Sequence, residues 1–378
     1  MPSLGDTTAL LKRARRKAPT AASRRGRPAE QMVETADFGP NPGALRMLSY
    51  APAGLPKGAP LVVVLHGCTQ TAEAFAADAG WLALADRYGL AVVAPEQNSQ
   101  NNPNRCFTWF SSGDITRGEG EAASVAAMTA HAIATYQLDP ERVFVSGLSA
   151  GGAMAAVMLA AYPDIFAGGA IIAGLPYGVA GNVGQAMMAM RGSDRRDASA
   201  LGALARGASP QGGRTPRVSI WHGAADHTVN PANAAASAGQ WAWMHGLAVE
   251  PDETWSPPGR SHSVWRSPEG GQVMIEKHLI AGLGHGTPLA VDGPDGAGAV
   301  APYMLEAGVS SSLESLRFWG LAPPAADPPA EQKAAKAAPA AAAAEGGLAE
   351  LVMRSVSGHV SGPVHDLIAK ALRSAGLK

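Results

Sequence analysis

Cysteine, charge and long apolar runs are all scarce in this 378-residue sequence. Its two cysteines, Cys68 and Cys106, are too few for a disulfide-dense scaffold or a four-cysteine zinc site, and they leave one bridge open. Charged residues make up 16% of the chain and the formal net charge is -1, so the composition does not favour binding to nucleic acid. No run approaches about 18 consecutive apolar residues, so no segment is predicted to span a membrane.

The two ends of the chain differ in composition from its middle. Residues 1–44 are basic and poor in large apolar side chains, which predicts a flexible arm. This arm lacks the apolar stretch of a secretory signal, which favours a cytoplasmic location. Residues 321–345 are mostly Ala and Pro and predict a linker. Residues 346–378 show apolar positions at helical spacing, so we expect two short amphipathic helices that pack on the main domain, pair in a homodimer or contact a granule.

The central segment, residues 45–320, alternates apolar runs with stretches of helical composition. The runs are continuously apolar, as expected for parallel strands that are covered on both faces. This pattern predicts an α/β fold with a doubly wound, mostly parallel sheet and helices on both faces. The predicted strands are 61–65, 91–94, 143–146, 169–173, 218–221 and 273–278, and the predicted helices are 71–88, 118–137, 150–161 and 231–245.

The strongest local motif surrounds Ser149. Residues 147–151 read Gly-Leu-Ser-Ala-Gly and lie between a predicted strand and a predicted helix. This context turns a common G-x-S-x-G pattern into a nucleophile elbow, in which glycines let the strand and helix pass closely and a strained turn exposes the serine. The alternative is a plain Gly/Ser turn. We predict that Ser149 is a nucleophile, because a strand, a turn and a helix occur in the required order.

A nucleophilic serine needs a base and an acid, which in this kind of fold follow it along the chain. Asp226 lies just beyond the predicted strand 218–221, at the carboxyl end of the sheet, where such folds keep their sites. The alternative is that Asp226 caps the helix that follows. We predict that Asp226 is the acid.

His285 is the predicted base. It lies between glycines in a loop after the predicted strand 273–278, which allows a tight turn toward Ser149. The other candidates are less suitable, because we place His278 within a strand, His245 within a helix and His262 in a polar loop. The alternative, a structural histidine, accounts for neither the chain order nor the loop position.

Two backbone N–H groups are needed to stabilise the oxyanion of an acyl-transfer reaction. We assign one to Ala150, which follows the nucleophile, and one to Cys68, which follows the strand 61–65. We hypothesise that Cys106 forms a disulfide with Cys68, which would anchor this loop. Trp109 and its neighbour Phe110 either form an apolar shelf beside the nucleophile or belong to the core, and both interpretations stay open.

Neither a metal site nor a cofactor site is predicted. The histidines show no H-E-x-x-H or H-x-H spacing with a carboxylate, and the glycine clusters match neither a phosphate-binding loop nor a dinucleotide fingerprint. The reaction is therefore expected to need no metal and no cofactor.

Taken together, seven separated motifs resemble the poly(3-hydroxybutyrate) depolymerase family of esterases, which is related to feruloyl and acetylxylan esterases. The resemblance covers residues 45–320. The motifs are LVVVLHGCTQTAEAF, PEQ, NRCFTWF, RGEGEAASV, VFVSGLSAGGAMA, WHGAADHTVNP and GLGHGTPL.

This resemblance implies an α/β-hydrolase fold in which Ser149, Asp226 and His285 match the family's triad. It also implies that the amides of the two residues assigned above form the oxyanion hole, and that Trp109 corresponds to a substrate-contacting tryptophan. Family members are commonly extracellular, whereas this sequence shows no classical signal.

The predicted function is that of a serine esterase acting on carboxylic esters, with 3-hydroxybutyrate polyester or its oligomers as substrate. Feruloyl or acetylxylan esters are the alternative, with the pocket shaped by residues 174–216, which include Met187, Met188 and Met190. A peptidase or amidase would use the same triad. A granule-associated or scaffolding protein would instead act through the arm and the tail helices.

Overall fold

The computed structural model describes residues 32–208 and 213–325. Most of the predicted arm, most of the predicted linker and the whole predicted helical tail lie outside the described residues. Within the described part, no helix is both long and apolar enough to cross a membrane.

Strands and helices alternate along most of the described chain. The strands are β1 (Val33–Thr35), β2 (Arg46–Tyr50), β3 (Leu61–Leu65), β4 (Ala91–Glu96), β5 (Val143–Leu148), β6 (Gly168–Ile172), β7 (Arg217–Gly223), β8 (Glu253–Trp255), β9 (Arg260–Arg266), β10 (Val273–Ile280), β11 (Thr287–Leu289) and β12 (Met304–Glu306). The helices are α1 (Ala72–Asp78), α2 (Trp81–Tyr88), α3 (Ser112–Ile115), α4 (Gly120–Tyr136), α5 (Ala150–Ala161), α6 (Val183–Met190), α7 (Ala198–Ala208), α8 (Ala232–Met244) and α9 (Ser311–Trp319).

Ten of the strands form one sheet in the order β1-β2-β4-β3-β5-β6-β7-β10-β9-β8, while β11 and β12 pair separately. The six central strands, β4, β3, β5, β6, β7 and β10, are parallel to one another. The pairs at both edges are antiparallel. The prediction of a mostly parallel, helix-covered sheet is confirmed.

The alternation of side chains along β3 shows why its run is apolar throughout. Leu61, Val63 and Leu65 pack in one core, together with residues of α4, α5, α6, α7 and α8. Val62 and Val64 point to the opposite core, which includes residues of α1, α2 and α9. Because both faces of the strand are buried, a period-two pattern is absent from its sequence.

The predicted helix 71–88 is two helices, which meet at Gly80. This glycine has a φ of +85°, and a Cβ on it would lie 2.8 Å from the Cβ of Ala297. The break therefore lies at a left-handed glycine, which also allows the close approach of a segment more than 200 residues away.

The placement of His262 in a loop was wrong, because this residue lies within β9. β9 pairs with both β10 and β8, so its extended form is set by neighbours on two sides despite a polar sequence. Residues 33–35, part of the predicted arm, also form a strand, which pairs with β2.

Candidate active site

Ser149 stands at the sharp turn between β5 and α5. Its φ of 58° and ψ of -117° are strained for a residue with a side chain, and its N–H donates to the Ile172 carbonyl over 2.9 Å. A Cβ on Gly147 would come within 2.1 Å of the Gly151 oxygen, and one on Gly151 within 2.1 Å of the Leu65 oxygen. The two glycines therefore allow the close strand–helix approach that holds Ser149 in its strained conformation.

His285 lies in the loop between β10 and β11 and bridges the other two predicted residues. Its Nε2 is 2.9 Å from Ser149 Oγ, and its Nδ1 is 2.7 Å from Asp226 Oδ2. With the proton on Nδ1 donated to the carboxylate, Nε2 is free to accept the serine proton. The structure thus joins the three residues, of which Ser149 and His285 are 136 positions apart in the sequence, into one hydrogen-bonded chain.

Asp226 is buried and held by several donors. Its Oδ1 accepts the N–H groups of Thr228 and Val229 over 2.8 and 2.9 Å. The Nε2 of His222 lies 2.9 Å from the Val229 carbonyl and 3.3 Å from Asp226 Oδ2, so its N–H is shared between them. Burial alone would raise the pKa of Asp226, but the hydrogen bonds from His222, His285 and the Val229 N–H hold it well below its ordinary value. Asp226 is therefore an anion that can orient an imidazole.

The alternative role of Asp226 as the cap of α8 is wrong. Ala232, the first residue of α8, donates its N–H to Asn230 Oδ1 over 2.9 Å. Both oxygens of Asp226 are engaged within its own loop and by the two histidines.

Cys68 lies in the loop after β3, and this loop is tied down on several sides. The Gly67 N–H donates to the side-chain oxygen of Gln70 over 2.8 Å, and the Thr69 N–H donates to the Asn104 carbonyl over 2.7 Å. A disulfide joins Cys68 to Cys106. Ala150, the other predicted donor, is the first residue of α5, where backbone N–H groups have no intrahelical acceptor. Both amides therefore lie in rigid segments, and their role as an oxyanion hole stays a prediction.

His66 is a residue of this site that the sequence analysis missed. Its Nδ1 lies 2.7 Å from the Gly67 carbonyl, and its Nε2 accepts the Gln97 N–H over 3.1 Å. The proton therefore sits on Nδ1 and is donated to Gly67, while burial lowers the pKa of the ring and keeps it neutral. Because C=O and N–H point in opposite directions in a trans peptide, this bond turns the Cys68 N–H away from His66. The only sequence signal was a histidine next to the predicted oxyanion loop.

Trp109 is 6% exposed and packs in the core with α4 and α5, in edge contact with Phe110. The core interpretation therefore describes its side chain better than an open shelf does, and contact with substrate stays a prediction.

Its neighbour Thr108 donates through both its N–H and its hydroxyl to Glu121, over 2.8 and 2.6 Å. Burial raises the pKa of Glu121 to about 7 although Thr108 and Gln97 donate to it.

An exposed aromatic stands beside the base instead. Tyr303 is 44% exposed, and its ring meets that of His285 edge-on with centroids 6.0 Å apart. The Tyr303 carbonyl accepts the Thr287 N–H over 2.8 Å, which fixes the two loops together. This contact joins residues from separate segments and could not be read from a local motif.

Residues of the predicted pocket-shaping segment line a cavity of about 860 Å³ together with Ile115, Thr116 and Arg117. Met188 and Leu204 are among them, but Ser149 and His285 are not. The cavity is thus distinct from the hydrogen-bonded triad, and its lining does not identify a substrate.

A second cluster of titratable groups lies on β9 and β10. His262, Glu276 and His278 each offer an atom, and these atoms all lie within 4.8 Å of one another. Burial lowers the pKa of His278 to about 4. The sequence analysis saw no such set because its members come from two strands rather than one motif.

Comparisons with known proteins find similar sequences among esterases. The family model described as "Esterase PHB depolymerase" matches residues 46–252. Poly(3-hydroxyalkanoate) depolymerase C of Paucimonas lemoignei is 45% identical over 294 residues, which is 77% of this chain and 70% of that protein. Acetylxylan esterase of Coprinopsis cinerea is 32% identical and feruloyl esterase B of Talaromyces funiculosus 29% identical; they align with 69% and 70% of this chain and over 70% and 75% of their own length.

A solved structure supports the fold. The acetyl xylan esterase from Aspergillus awamori superposes with a TM-score of 0.66 at 24% sequence identity, covering 77% of this chain and all of that one.

Proposed function

Because this chain belongs to the PHB depolymerase family of esterases and is a carboxylic ester hydrolase, we propose that Ser149, His285 and Asp226 are its catalytic triad and that its substrates are polyesters or oligomers of 3-hydroxyalkanoates. The observation that carries this proposal is the continuous hydrogen-bonded chain from Ser149 Oγ through His285 to Asp226.

In the proposed reaction, Ser149 Oγ attacks the ester carbonyl as His285 Nε2 takes its proton. The N–H groups of Cys68 and Ala150 stabilise the oxyanion that forms on the carbonyl oxygen. His285 then returns the proton to the leaving alcohol, and Asp226 stabilises the transient imidazolium. Water enters by the reverse sequence and releases the acid from Ser149.

The substrate class rests on relatedness. The polyhydroxyalkanoate depolymerase is 45% identical to this chain, against 32% and 29% for the acetylxylan and feruloyl esterases. A carboxylic ester of a 3-hydroxy acid is therefore favoured over a feruloyl or acetyl ester on a polysaccharide. An amide substrate would need the same triad and is the second alternative.

The triad is tested with Ser149→Ala. We expect turnover of p-nitrophenyl butyrate to fall by at least about 10³-fold, because no other group can form the acyl-enzyme. Circular dichroism and the melting temperature should match those of the parent. Ser112→Ala, at an exposed serine that starts α3, is the control and should keep full activity. Full turnover in Ser149→Ala would refute the assignment.

The substrate class is tested with a panel. We expect kcat/KM to be highest for 3-hydroxybutyrate oligomers, lower for methyl ferulate and acetylated xylan, and lowest for a p-nitroanilide. A preference for ferulate or acetyl esters would leave the triad intact and overturn the proposed substrate.

A further inference from the structure

Four aromatic rings form a row across four neighbouring strands at one side of the sheet. Trp255 of β8 lies directly opposite His262 of β9, which lies opposite His278 of β10, which in turn lies opposite Trp221 of β7. Their centroids are 4.2, 3.8 and 3.7 Å apart in that order. Residues opposite one another in paired strands project to the same face, so the row follows from the strand register.

Glu276 completes this row, because it precedes His278 by two residues and therefore shares its face of β10. Its Oε2 lies 3.3 Å from His262 Nε2, and its Oε1 lies 3.4 Å from His278 Nε2. Neither contact has hydrogen-bond geometry, so among the described residues both nitrogens face Glu276 without a hydrogen bond, although His278 is only 1% exposed. Buried polar atoms without partners are costly, and a bound ion is one of the few explanations for them.

We propose that His262, Glu276 and His278 bind a divalent transition-metal ion, of which zinc fits the ligands best. In a tetrahedral zinc site with bonds of about 2.0–2.1 Å, the ligand atoms lie about 3.3–3.4 Å apart. Glu276 Oε2 lies 3.3 Å from His262 Nε2, and the 3.4 Å spacing to His278 Nε2 is measured from Oε1. One ligand atom from each residue lies within 4.8 Å of the others, so the cluster is close to zinc spacing before an ion binds. Two imidazoles and one carboxylate are also an established zinc ligand set.

The surroundings of Glu276 resemble the outer shell of a metal site. Ser219 donates its hydroxyl to Glu276 Oε1 over 2.7 Å, and Trp221 donates its indole N–H to that same hydroxyl over 2.7 Å. Such partners orient a ligating carboxylate and leave its other oxygen available. Oε2 is that oxygen.

His262 provides the entry to the site. It is half-buried, whereas His278 and Glu276 are buried, so an ion and a water ligand reach the cluster from its side. In the row its ring stacks on that of His278, so binding requires the His262 imidazole to turn about the Cβ–Cγ bond until its lone pair faces the ion. The bound ion clamps β9 to β10, the strand that leads into the loop of His285, and takes no part in ester hydrolysis.

The test uses zinc chloride alone and the full chain. The protein is treated with a chelator, desalted and titrated with zinc by calorimetry, and its melting temperature is recorded with and without the metal. We expect one zinc per chain and a rise in melting temperature of at least about 3 °C. His262→Phe and His278→Phe keep a ring in the row but remove a ligand, so each should weaken zinc binding at least about 10-fold and abolish the thermal shift.

His131→Gln, in α4 and outside the cluster, is the control and should bind zinc like the parent. Absence of zinc binding by the parent up to about 1 mM would overturn the proposal. Undiminished binding by His262→Phe would also overturn it, because the ion would then bind elsewhere. If His278→Phe does not fold, the parent and His262→Phe still decide. Ester hydrolysis is not the readout, so this outcome is independent of the proposed triad.

Discussion

At the scale of single residues, His66 allows the orientation of the proposed oxyanion-binding peptide, Gly67–Cys68, to be tested apart from the triad. Its Nδ1–H fixes the Gly67 carbonyl, and the Cys68 N–H shares that peptide. In His66→Ala we expect kcat for p-nitrophenyl butyrate to fall about 10- to 100-fold with KM almost unchanged, because the oxyanion exists only after attack. Steady-state kinetics check this, and His66→Asn, whose amide can still donate to Gly67, should recover part of the loss.

His245 offers a matched control. It is also a largely buried histidine bonded to a backbone carbonyl, that of Pro216 over 2.9 Å, but it lies at the end of α8. His245→Ala should lower the melting temperature and leave kcat unchanged. If His66→Ala changed KM and not kcat, the proposed orienting role would be wrong.

Glu121 makes the stability of the fold depend on pH. Its pKa rises from an ordinary 4.5 to about 7 in the folded chain, so folding favours its protonated form. Its stabilising contribution is complete below about pH 4.5 and is lost as the pH rises through 7, which amounts to about 3 kcal/mol. Urea unfolding of the parent and of Glu121→Gln from pH 5 to 8 measures it.

The test compares the free energy of unfolding of the parent with that of Glu121→Gln at each pH. The substitution also changes packing and hydrogen bonds, but that contribution does not vary with pH. We expect the parent to lose stability relative to Glu121→Gln as the pH rises. Parallel curves for the two proteins would show that Glu121 does not titrate in this range.

Residues with a local signal were predictable, and residues defined by distant contacts were not. Ser149, Asp226 and His285 each follow a strand within a recognisable motif, so the sequence analysis could name them, and the structure joins them by hydrogen bonds. The Gln97 N–H, 31 residues away, donates to His66 and fixes its tautomer, and Thr108, 13 residues away, donates to Glu121. A motif reports what a residue type can do, but not which buried carbonyl or carboxylate it will meet.

At the scale of elements, the disulfide fastens the loop after β3 to the loop after β4. It spans 38 residues and carries Cys68, one of the proposed oxyanion donors, at one end. Replacing both cysteines with serine should lower the free energy of unfolding by about 3 to 4 kcal/mol, since the unfolded chain regains the entropy of an open loop. It should also lower kcat several-fold, because the Cys68 amide loses its anchor.

Urea unfolding and steady-state kinetics measure these two effects. Counting free thiols in the folded, unreduced parent gives an independent check, and two titratable thiols would contradict the bridge.

Helix and strand boundaries show where sequence patterns reach their limit. The central strand β3 was predicted from its apolar run alone and has the predicted bounds. The break at Gly80 combines a local signal, a glycine in the left-handed region, with the close approach of Ala297. The strand at His262 depends on pairing with β8 and β10. Apolar periodicity therefore predicted the central elements, while tertiary contacts set the interruptions and the edges.

At the scale of the whole molecule, the same division separates the centre of the sheet from its margins. Five of the six parallel strands are buried along nearly their whole length, which favours apolar runs, whereas β10 is partly exposed. Their parallel order follows from the alternation of strand and helix. The antiparallel strands at both margins are short or polar; β8, for example, has three exposed residues. Such strands form because a neighbour offers hydrogen bonds, and their own sequences carry little signal.

The near-neutral charge of the chain bears on how the protein would adsorb to an uncharged polyester. Because the polymer carries no charge and the chain has a formal net charge of only -1, we expect adsorption to rely on apolar contact rather than on electrostatic attraction. Helix α6 offers such contact, because Val183, Met187 and Met188 are 62%, 49% and 59% exposed. Replacing both methionines with serine should therefore slow hydrolysis of a poly(3-hydroxybutyrate) film several-fold and leave kcat/KM for p-nitrophenyl butyrate unchanged.

Val33→Ser, at a 58% exposed valine on the edge strand β1, is the control for loss of exposed apolar area alone and should not slow film hydrolysis. Raising the salt from about 50 to 500 mM should leave adsorption of the parent to the film intact, since screening weakens charge attraction and not apolar contact. Desorption by salt would mean that charged groups hold the protein on the polymer. An equal loss of soluble-ester turnover in the methionine variant would place α6 in the catalytic site rather than on an adsorbing surface.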